Sequence, residues 1–234
     1  LGATPDDVVL DLCAAPGGKT LQLAAALGPE PRGDLAAVEA VRPRFFKLQG
    51  VLARYGAKAR LFMKDGRDVG GAVPERFDKI LIDAPCSSEA RFDADDAASS
   101  AHWSERKIAE CAHKQKALLR SGLAALKVGG TLVYCTCSFA PEENEAVVRE
   151  VLEELGGAVA PLASPLPATC SPFAPIPAVP GIDLPEAWRI LPDAVWDGFF
   201  LIRLIKISTI DTNTSTESRN TSRRPRRADT RRCP

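Results

Sequence analysis

The sequence lacks the features that mark membrane-spanning or metal-binding proteins. No run approaches eighteen apolar residues, so no segment is expected to span a bilayer. The seven cysteines occur without a secretion signal, which predicts reduced thiols and a cytoplasmic protein. Cys135 and Cys137 are one residue apart, and no second cysteine pair stands at zinc-ribbon spacing. No metal site is therefore predicted.

The chain also lacks net charge, because Lys plus Arg and Asp plus Glu both number 30. The balance is uneven, since residues 207–234 contain seven Arg and only three acidic residues. We predict that this Ser-, Thr- and Arg-rich tail is disordered. Residues 1–206 are predicted to form one globular domain, because hydrophobic residues make up 45% of the sequence. A neutral domain argues neither for nor against a nucleic-acid partner.

Short apolar segments alternate with amphipathic ones along most of the chain. The predicted strands occupy residues 8–12, 35–39, 60–63, 79–83 and 131–135. The predicted helices occupy residues 19–27, 43–54, 104–127 and 142–155. This alternation predicts an α/β fold with a doubly wound, mostly parallel sheet. Residues 189–191 and 199–205 are expected to add antiparallel strands, and residues 156–187, with eight Pro, to form a surface loop.

A glycine turn follows the first predicted strand. A strand, a glycine turn and a helix in this order point backbone N–H groups at a ligand. The turn lacks the GxGxxG pattern, so a nicotinamide cofactor is not expected, and an ordinary turn between strand and helix is the alternative. The residues predicted to line a cofactor site here are Cys13, Ala14, Ala15, Pro16, Gly17, Gly18 and Lys19.

Two later stretches form a set of three motifs together with this turn. They are residues 82–88, Ile-Asp-Ala-Pro-Cys-Ser-Ser, and residues 134–138, Tyr-Cys-Thr-Cys-Ser. In their order and spacing, the three stretches resemble the Nop/Sun family of S-adenosylmethionine-dependent RNA cytosine-5 methyltransferases, over about residues 5–205. The resemblance implies the class I methyltransferase (Rossmann-like) fold with a terminal antiparallel strand. It also implies S-adenosylmethionine as cofactor and RNA, either rRNA or tRNA, as partner.

The chemistry of such a reaction needs a thiolate. Carbon 5 of cytosine is a poor nucleophile until a thiolate adds to carbon 6. Cys86 and Cys137 both follow strand ends, and spacing alone does not choose between them. The resemblance implies that Cys137 attacks and that Cys86 assists breakdown of the adduct and product release. Cys111 and Cys135 fit the ordinary role of a small buried hydrophobe.

The remaining site residues stand at strand ends or close to them. Asp83 is expected to line the cofactor site and to contact ring nitrogen 3 and the exocyclic amine, with a strand-end cap as the alternative, and the resemblance implies that Lys19 orients it. Glu39 can accept hydrogen bonds from ribose hydroxyls, although the family usually has Asp there and a solvated strand end is the alternative. The resemblance places Asp65 near the adenine. Arg44 matches a family Arg, with a helix-surface role as the alternative.

The substrate base must leave its stack for a cysteine to reach carbon 6, which favours single-stranded or loop RNA. Phe92, His102 and Trp103 flank a polar stretch at residues 89–100 and can stack on bases. Packing of Trp103 at a helix start is the alternative.

Two rival functions belong to other classes. A DNA cytosine-5 methyltransferase would attack with its Pro-Cys cysteine, but such an enzyme has no need of the second cysteine, Cys137. A catalytically silent RNA-binding assembly factor is the other rival. The chain starts at Leu1 directly before the first strand, so we expect that an upstream RNA-binding domain is missing. We expect a monomer.

Overall fold

The computed structural model describes residues 1–93, 95–101, 103–163, 184–192 and 197–210. In this part of the chain, eight strands form one sheet. The strands are β1 (Val8–Asp11), β2 (Asp34–Val38), β3 (Arg60–Phe62), β4 (Phe77–Asp83), β5 (Leu126–Thr136), β6 (Val159–Leu162), β7 (Trp188–Ile190) and β8 (Phe199–Lys206). The α-helices are α1 (Gly18–Leu27), α2 (Arg42–Arg54), α3 (Val69–Ala72), α4 (Glu105–Ala125) and α5 (Glu145–Glu154).

The sheet runs in the order β3-β2-β1-β4-β5-β8-β6, with β7 also paired to β8. The first five strands of this order are parallel to one another, and β8 is antiparallel to β5. The expected doubly wound sheet with antiparallel strands at one end is therefore confirmed. Because the parallel strands share a direction, their carboxyl ends meet at one edge of the sheet.

Side chains alternate between the two faces of the sheet, and each face is covered by its own helices. On one face, Leu10, Ile80 and Ile82 pack in a cluster with α4 and α5. On the other face, Val9 and Leu81 pack with residues of α1. This burial on both faces explains why the central strands are almost continuously apolar.

The start of α4 was predicted, but its end was not. Ser104 is the N-cap, and its hydroxyl accepts a hydrogen bond from the Lys107 N–H at 3.1 Å. The helix ends at Ala125 rather than near residue 127, and β5 begins at once with the fully buried Leu126. Gly129 and Gly130 follow the helical pattern, where glycine predicts a helix end, but they lie inside β5 next to a register shift with β4. Burial of Leu126 in the sheet, rather than the two glycines, therefore decides where α4 ends.

The prediction that residues 156–187 form only a loop is wrong at its start. Val159–Leu162 form β6, which pairs antiparallel with β8. Pro161 is compatible with this strand because β6 lies at the edge of the sheet, where a missing N–H is tolerated. Residues 164–183, the tail from residue 211 and His102 lie outside the described residues.

Candidate active site

The turn after β1 is shaped by one of its two glycines. Gly17 has a φ of 117°, and a Cβ there would meet side-chain atoms of Leu48 and Val51 in α2 at 3.1 Å. A Cβ on Gly18 would meet nothing within 4 Å. Gly17 therefore lets the turn pack on α2, whereas Gly18 leaves open space at the N-terminus of α1.

Asp11 is a site residue that the sequence reasoning missed. Its side chain is only 1% exposed, and Oδ2 accepts a hydrogen bond from the Thr20 hydroxyl at 2.7 Å. Oδ1 has no hydrogen-bond partner among the described residues. Burial raises the pKa of Asp11 to about 6. A single acid inside the apolar run of residues 8–12 was the signal that could have identified it.

Lys19 and Asp83 form the contact expected from the sequence. Lys19 Nζ lies 2.7 Å from Asp83 Oδ2, and both side chains remain partly exposed at the sheet edge. The Lys19 ammonium also lies 5.1 Å from the centre of the Phe199 ring. Burial alone would lower the pKa of Lys19, but the charge and hydrogen bond of Asp83 raise it overall. The ammonium is thus held between Asp83 at the end of β4 and the Phe199 ring of β8.

The structure brings Cys86 and Cys137 together, with 3.2 Å between their sulfur atoms. Cys86 follows β4 and Cys137 follows β5, and these strands are parallel neighbours in which Asp83 pairs with Cys135. Both thiols therefore emerge at the same edge as Asp83. Both are partly buried, so they are neither sealed in the core nor fully in solvent.

The contact between the two sulfur atoms separates their acidities. The contact with Cys86, together with the positive charge of Arg91, lowers the pKa of Cys137. Contact with Cys137 and burial raise the pKa of Cys86, and the Ser88 hydroxyl lies 3.9 Å from the Cys86 sulfur. These directions favour the thiolate on Cys137 and the protonated thiol on Cys86. Ser88 holds its place with a φ of 64°, which is uncommon for a non-glycine residue.

The other described thiols lack thiolate character. Burial raises the pKa of Cys13, Cys111 and Cys135. The Cys135 sulfur lies 3.5 Å from the Ile82 carbonyl oxygen, inside the sheet. These three side chains are protonated at neutral pH and are unsuited to nucleophilic attack.

Glu39 and Arg44 both contact the neighbourhood of the glycine turn. Glu39 is 4% exposed, and its Oε1 accepts a hydrogen bond from the Val41 N–H at 2.8 Å. Arg44 lies 3.6 Å from Glu39 Oε2 and donates a hydrogen bond to the Ala15 carbonyl at 2.8 Å. Arg44 is thus more than a helix-surface residue, because it joins the end of β2 to the turn after β1.

Asp65 lies after β3, at the same edge of the sheet. Its carboxylate pairs with Arg67 at 2.6 Å and caps a short 3₁₀ turn, Gly66–Asp68. The Arg67 hydrogen bond lowers the pKa of Asp65. The side chain remains about one-third exposed, so part of the carboxylate is accessible.

The polar stretch after Cys86 is tied to the loop that carries Cys137. Glu89, which the sequence reasoning did not single out, accepts hydrogen bonds from the Trp103 indole at 2.7 Å and from the Phe139 N–H at 2.8 Å. Trp103 remains 42% exposed and Phe92 37% exposed. Two aromatic rings therefore lie partly in solvent on the segment next to the paired cysteines.

A separate cavity of about 1000 Å³ lies at the opposite edge of the sheet, where β2 and β3 begin. Leu27, Tyr55, Ala59 and Arg60 are among its lining residues, and no cysteine lines it. It is remote from the residues described above and does not belong to their site.

Comparison with known proteins places this geometry in a family. Residues 1–204 match the model of the family described as 16S rRNA methyltransferase RsmB/F. The chain belongs to this family. The prediction of a Nop/Sun-type methyltransferase is therefore confirmed.

Curated relatives are similar over the same region. The ribosomal RNA small subunit methyltransferase F of Vibrio campbellii is 43% identical over 154 residues, which is 65% of this chain and 32% of the relative. The protein of the same name from Vibrio cholerae is 44% identical over 160 residues, 68% of this chain and 33% of the relative. The chain thus spans about one-third of the length of the curated relatives it matches.

Solved structures share the fold. NSun6 from Pyrococcus horikoshii, solved with SFG, has a TM-score of 0.72 at 29% identity, covering 88% of this chain and 49% of that chain. A methyltransferase homolog protein from the same organism has a TM-score of 0.70 at 33% identity, covering 88% of this chain and 63% of that chain. The class I methyltransferase fold is confirmed, and S-adenosylmethionine is the cofactor of the family.

Two findings concern features the sequence was expected to lack. No helix in the described part of the chain has the length and apolar character needed to cross a bilayer. Within the same residues, no group of three or more His, Cys, Asp and Glu side chains is arranged to hold a metal ion.

Proposed function

We propose that this chain carries the catalytic site of an RNA methyltransferase that transfers a methyl group to carbon 5 of a cytosine in rRNA, through a covalent cysteine adduct. The observation that carries the proposal is the 3.2 Å separation of the Cys86 and Cys137 sulfur atoms beside the Lys19–Asp83 pair. Two thiols of opposite protonation, next to an acid that can bind a pyrimidine edge, match what this reaction requires.

The turn after β1 fits S-adenosylmethionine. The unpartnered Oδ1 of Asp11 is a buried acceptor that suits a ligand bearing hydrogen-bond donors, and the open space at Gly18 allows close approach of a ligand to the backbone. We assign the ribose to the remaining acceptor positions of Glu39 and the adenine to the neighbourhood of Asp65. NSun6 from Pyrococcus horikoshii was solved with SFG, an analogue of this cofactor, which supports the assignment. When bound, the cofactor supplies an electrophilic methyl group.

The two cysteines act in sequence in this proposal. The Cys137 thiolate adds to carbon 6, so that a carbon–sulfur bond forms and carbon 5 becomes nucleophilic enough to take the methyl group. Asp83, held by Lys19, accepts a hydrogen bond from the exocyclic amine and shares a proton with ring nitrogen 3, which gains that proton as the thiolate adds to carbon 6. Loss of the carbon 5 proton to a base then restores the ring double bond and expels the Cys137 thiolate. Cys86 assists this last step, because its S–H stabilises the leaving sulfur by a hydrogen bond.

The acidities of the two thiols support Cys137 as the nucleophile. The lowered pKa of Cys137 gives a thiolate at neutral pH, whereas the raised pKa of Cys86 keeps that thiol protonated. A DNA-type enzyme would need the reverse assignment, with attack by the cysteine of the Pro85-Cys86 pair.

Methyl transfer to RNA tests the proposal directly. Labelled S-adenosylmethionine is incubated at low salt with rRNA from cells that lack the gene, and the digested nucleosides are analysed for 5-methylcytosine. We expect labelled 5-methylcytosine with the wild-type chain and none with Cys137→Ala. Cys111→Ser, a change at a buried thiol on α4, is the matched control and should retain activity.

Other outcomes would exclude the proposal. Label in another nucleoside would contradict the cytosine-5 assignment. Binding of cofactor and rRNA without any transfer, with the fold intact, would favour a silent assembly factor.

A further inference from the structure

A buried carboxylate lies directly behind the two cysteines. Glu143 precedes α5 and has no exposed surface. Its oxygens accept hydrogen bonds from the Ser87 N–H at 3.1 Å, the Ser138 hydroxyl at 3.0 Å and the Gln115 carboxamide at 2.7 Å. Burying a carboxylate is unfavourable unless such donors surround it. The donors here are neutral groups from three different segments of the chain.

Two of these donors are the residues that follow the cysteines. Ser87 comes directly after Cys86, and Ser138 comes directly after Cys137. The hydroxyls of Ser87 and Ser138 also lie 3.1 Å apart. Glu143 therefore joins the loop after β4 to the loop after β5 at the positions next to the two thiols.

The carboxylate is itself held from both sides. Gln115, which is fully buried in α4, donates a second hydrogen bond to the Pro85 carbonyl at 2.9 Å. The Tyr134 hydroxyl donates to the Glu143 carbonyl at 2.6 Å, and the Asn144 carboxamide donates to the Ser138 carbonyl at 2.8 Å. Gln115 Oε1 has no hydrogen-bond partner among the described residues, but the shared hydrogen bonds of the other groups restrict the buried network to few geometries.

We propose that Glu143 is a positioning residue that sets the separation of the Cys86 and Cys137 sulfur atoms through Ser87 and Ser138. This inference rests on the proposed function, since both thiols must reach one cytosine in sequence. Without the carboxylate, three donors lose their common acceptor and the two loops can move apart. Cys137 then loses the hydrogen bond that stabilises its thiolate, and Cys86 no longer reaches the sulfur that must leave.

The test measures how readily the two thiols pair, in the absence of RNA. Diamide oxidises two adjacent thiols to a disulfide, taking up their two electrons and two protons as it becomes the hydrazine. The rate of Cys86–Cys137 disulfide formation, followed by mass spectrometry of the linked peptides, therefore reports the separation of the sulfur atoms. We expect Glu143→Gln to slow this rate by about tenfold or more, because displacement of reacting groups by about 1 Å has effects of this size. In the variant an –NH₂ group faces donors that need an acceptor.

Glu142→Gln is the matched control. Glu142 is the exposed neighbour of Glu143, and this change also removes one negative charge. We expect it to leave the pairing rate within twofold of wild type. Circular dichroism and cofactor binding check that each variant is folded.

Gln115→Met supplies a second variant in case Glu143→Gln does not fold. It removes one donor to the carboxylate at nearly constant side-chain length, and we expect a smaller slowing in the same direction. A folded Glu143→Gln protein that pairs its thiols as fast as wild type would overturn the inference. If Glu143→Gln is unfolded, an unchanged rate in folded Gln115→Met would overturn it.

The covalent adduct with RNA gives a second measurement, and a residue that only supports the fold would not change it. If Glu143 keeps Cys86 in reach of the leaving sulfur, the cofactor-dependent adduct of Glu143→Gln with RNA should break down more slowly than the wild-type adduct. An unchanged breakdown rate in a folded variant would contradict the positioning role. The thiol-pairing rate does not depend on methylation, so failure of the proposed function and failure of this inference give different results.

Discussion

At the scale of single residues, the chemistry depends on which of two neighbouring thiols is ionised. The sulfur atoms of Cys86 and Cys137 share one hydrogen bond, and the nearby Arg91 charge favours the thiolate on Cys137. The lowered pKa of Cys137 makes it the more reactive thiol of the pair, while the buried thiols of Cys111 and Cys135 stay protonated.

Alkylation by iodoacetamide should follow this order. We predict that Cys137 is modified first at pH 7 and that its rate rises with pH through an inflection below the ordinary thiol pKa of about 8.5. In Cys86→Ala the inflection should move to higher pH, because the donor that stabilises the thiolate is gone. Mass spectrometry of the modified peptides across a pH series measures the order of modification and the pH of the inflection. Faster modification of Cys86 than of Cys137 in the wild-type chain would contradict the assignment.

The buried Asp11 lowers the free energy of unfolding by an amount that depends on pH. Its pKa rises from 3.8 to about 6 on folding because the carboxyl group is buried. Between these values the folded state binds more protons than the unfolded state, so the free energy of unfolding falls as pH increases through this window. The destabilisation by Asp11 is absent below pH 3.8 and fully present above a pH of about 6. A shift of this size corresponds to at most about 3 kcal/mol.

Asp11→Asn should remove that pH dependence. We predict that the variant gains stability relative to wild type as pH rises from 4 to 7, by up to about 3 kcal/mol. Urea denaturation at several pH values within this range gives the difference in free energy of unfolding. A difference that stays constant with pH would show that Asp11 ionises normally in the folded state.

At the scale of elements, the turn between β1 and α1 shows what glycine does at each position. Gly17 has a positive φ and contacts α2, while Gly18 faces open space. The two glycines look equivalent in the sequence. Their roles differ because α2, which is remote in sequence, packs against only one of them.

Substitution should separate the two positions. Gly17→Ala places a Cβ against Leu48 and Val51 in a backbone conformation that costs about 1–3 kcal/mol. Gly18→Ala should stay within about 0.5 kcal/mol of wild type, because its Cβ meets nothing. Chemical denaturation of both variants provides the comparison. Equal destabilisation by the two changes would rule out this account of the turn.

The elements that sequence reasoning missed depend on partners far along the chain. β6 forms at Val159–Leu162 because β8 offers it an edge, and the proline content of the segment concealed this pairing. Glu143 follows a proline in an acidic stretch that reads as a solvated helix start, yet it is fully buried. Its donors come from the loop after β4, from α4 and from the loop after β5, so the sequence next to Glu143 does not indicate them.

At the scale of the whole molecule, the chain that carries the site has no net charge. The chain spans about one-third of the length of its curated relatives. Electrostatic attraction to phosphate is the main source of sequence-independent affinity for nucleic acids. Without the seven Arg residues of the tail, residues 1–206 have 23 Lys and Arg against 27 Asp and Glu, so their net charge of −4 supplies no general attraction to phosphate.

Binding measurements should reflect this balance. We predict that residues 1–206 bind S-adenosylmethionine but bind RNA weakly, with an affinity that falls steeply as salt concentration rises. Calorimetry for the cofactor and a filter-binding salt series for the RNA test both parts. Tight, sequence-selective RNA binding by residues 1–206 alone would contradict the prediction.

The sequence was sufficient for the architecture and for the meeting point of the three motifs. Parallel strands must end at one edge, so Asp83, Cys86 and Cys137 were bound to lie near the glycine turn once the strands were identified. The sequence could not give the distance between the two sulfur atoms or the direction of their acidities. Both depend on the contact between the two thiols, on the nearby Ser88 hydroxyl and on the charge of Arg91, which come together only in the folded chain.

The order in which the two cysteines act is the central claim, and trapping of the covalent adduct tests it most directly. Wild type, Cys86→Ala, Cys137→Ala and the double variant are incubated with cofactor and an RNA that wild type methylates, and then run on a denaturing gel. We predict a slow-migrating, cofactor-dependent protein–RNA band with Cys86→Ala, because the bond to carbon 6 forms but breaks slowly. Cys137→Ala and the double variant should show no such band. A trapped adduct in Cys137→Ala would reverse the two roles and contradict the account.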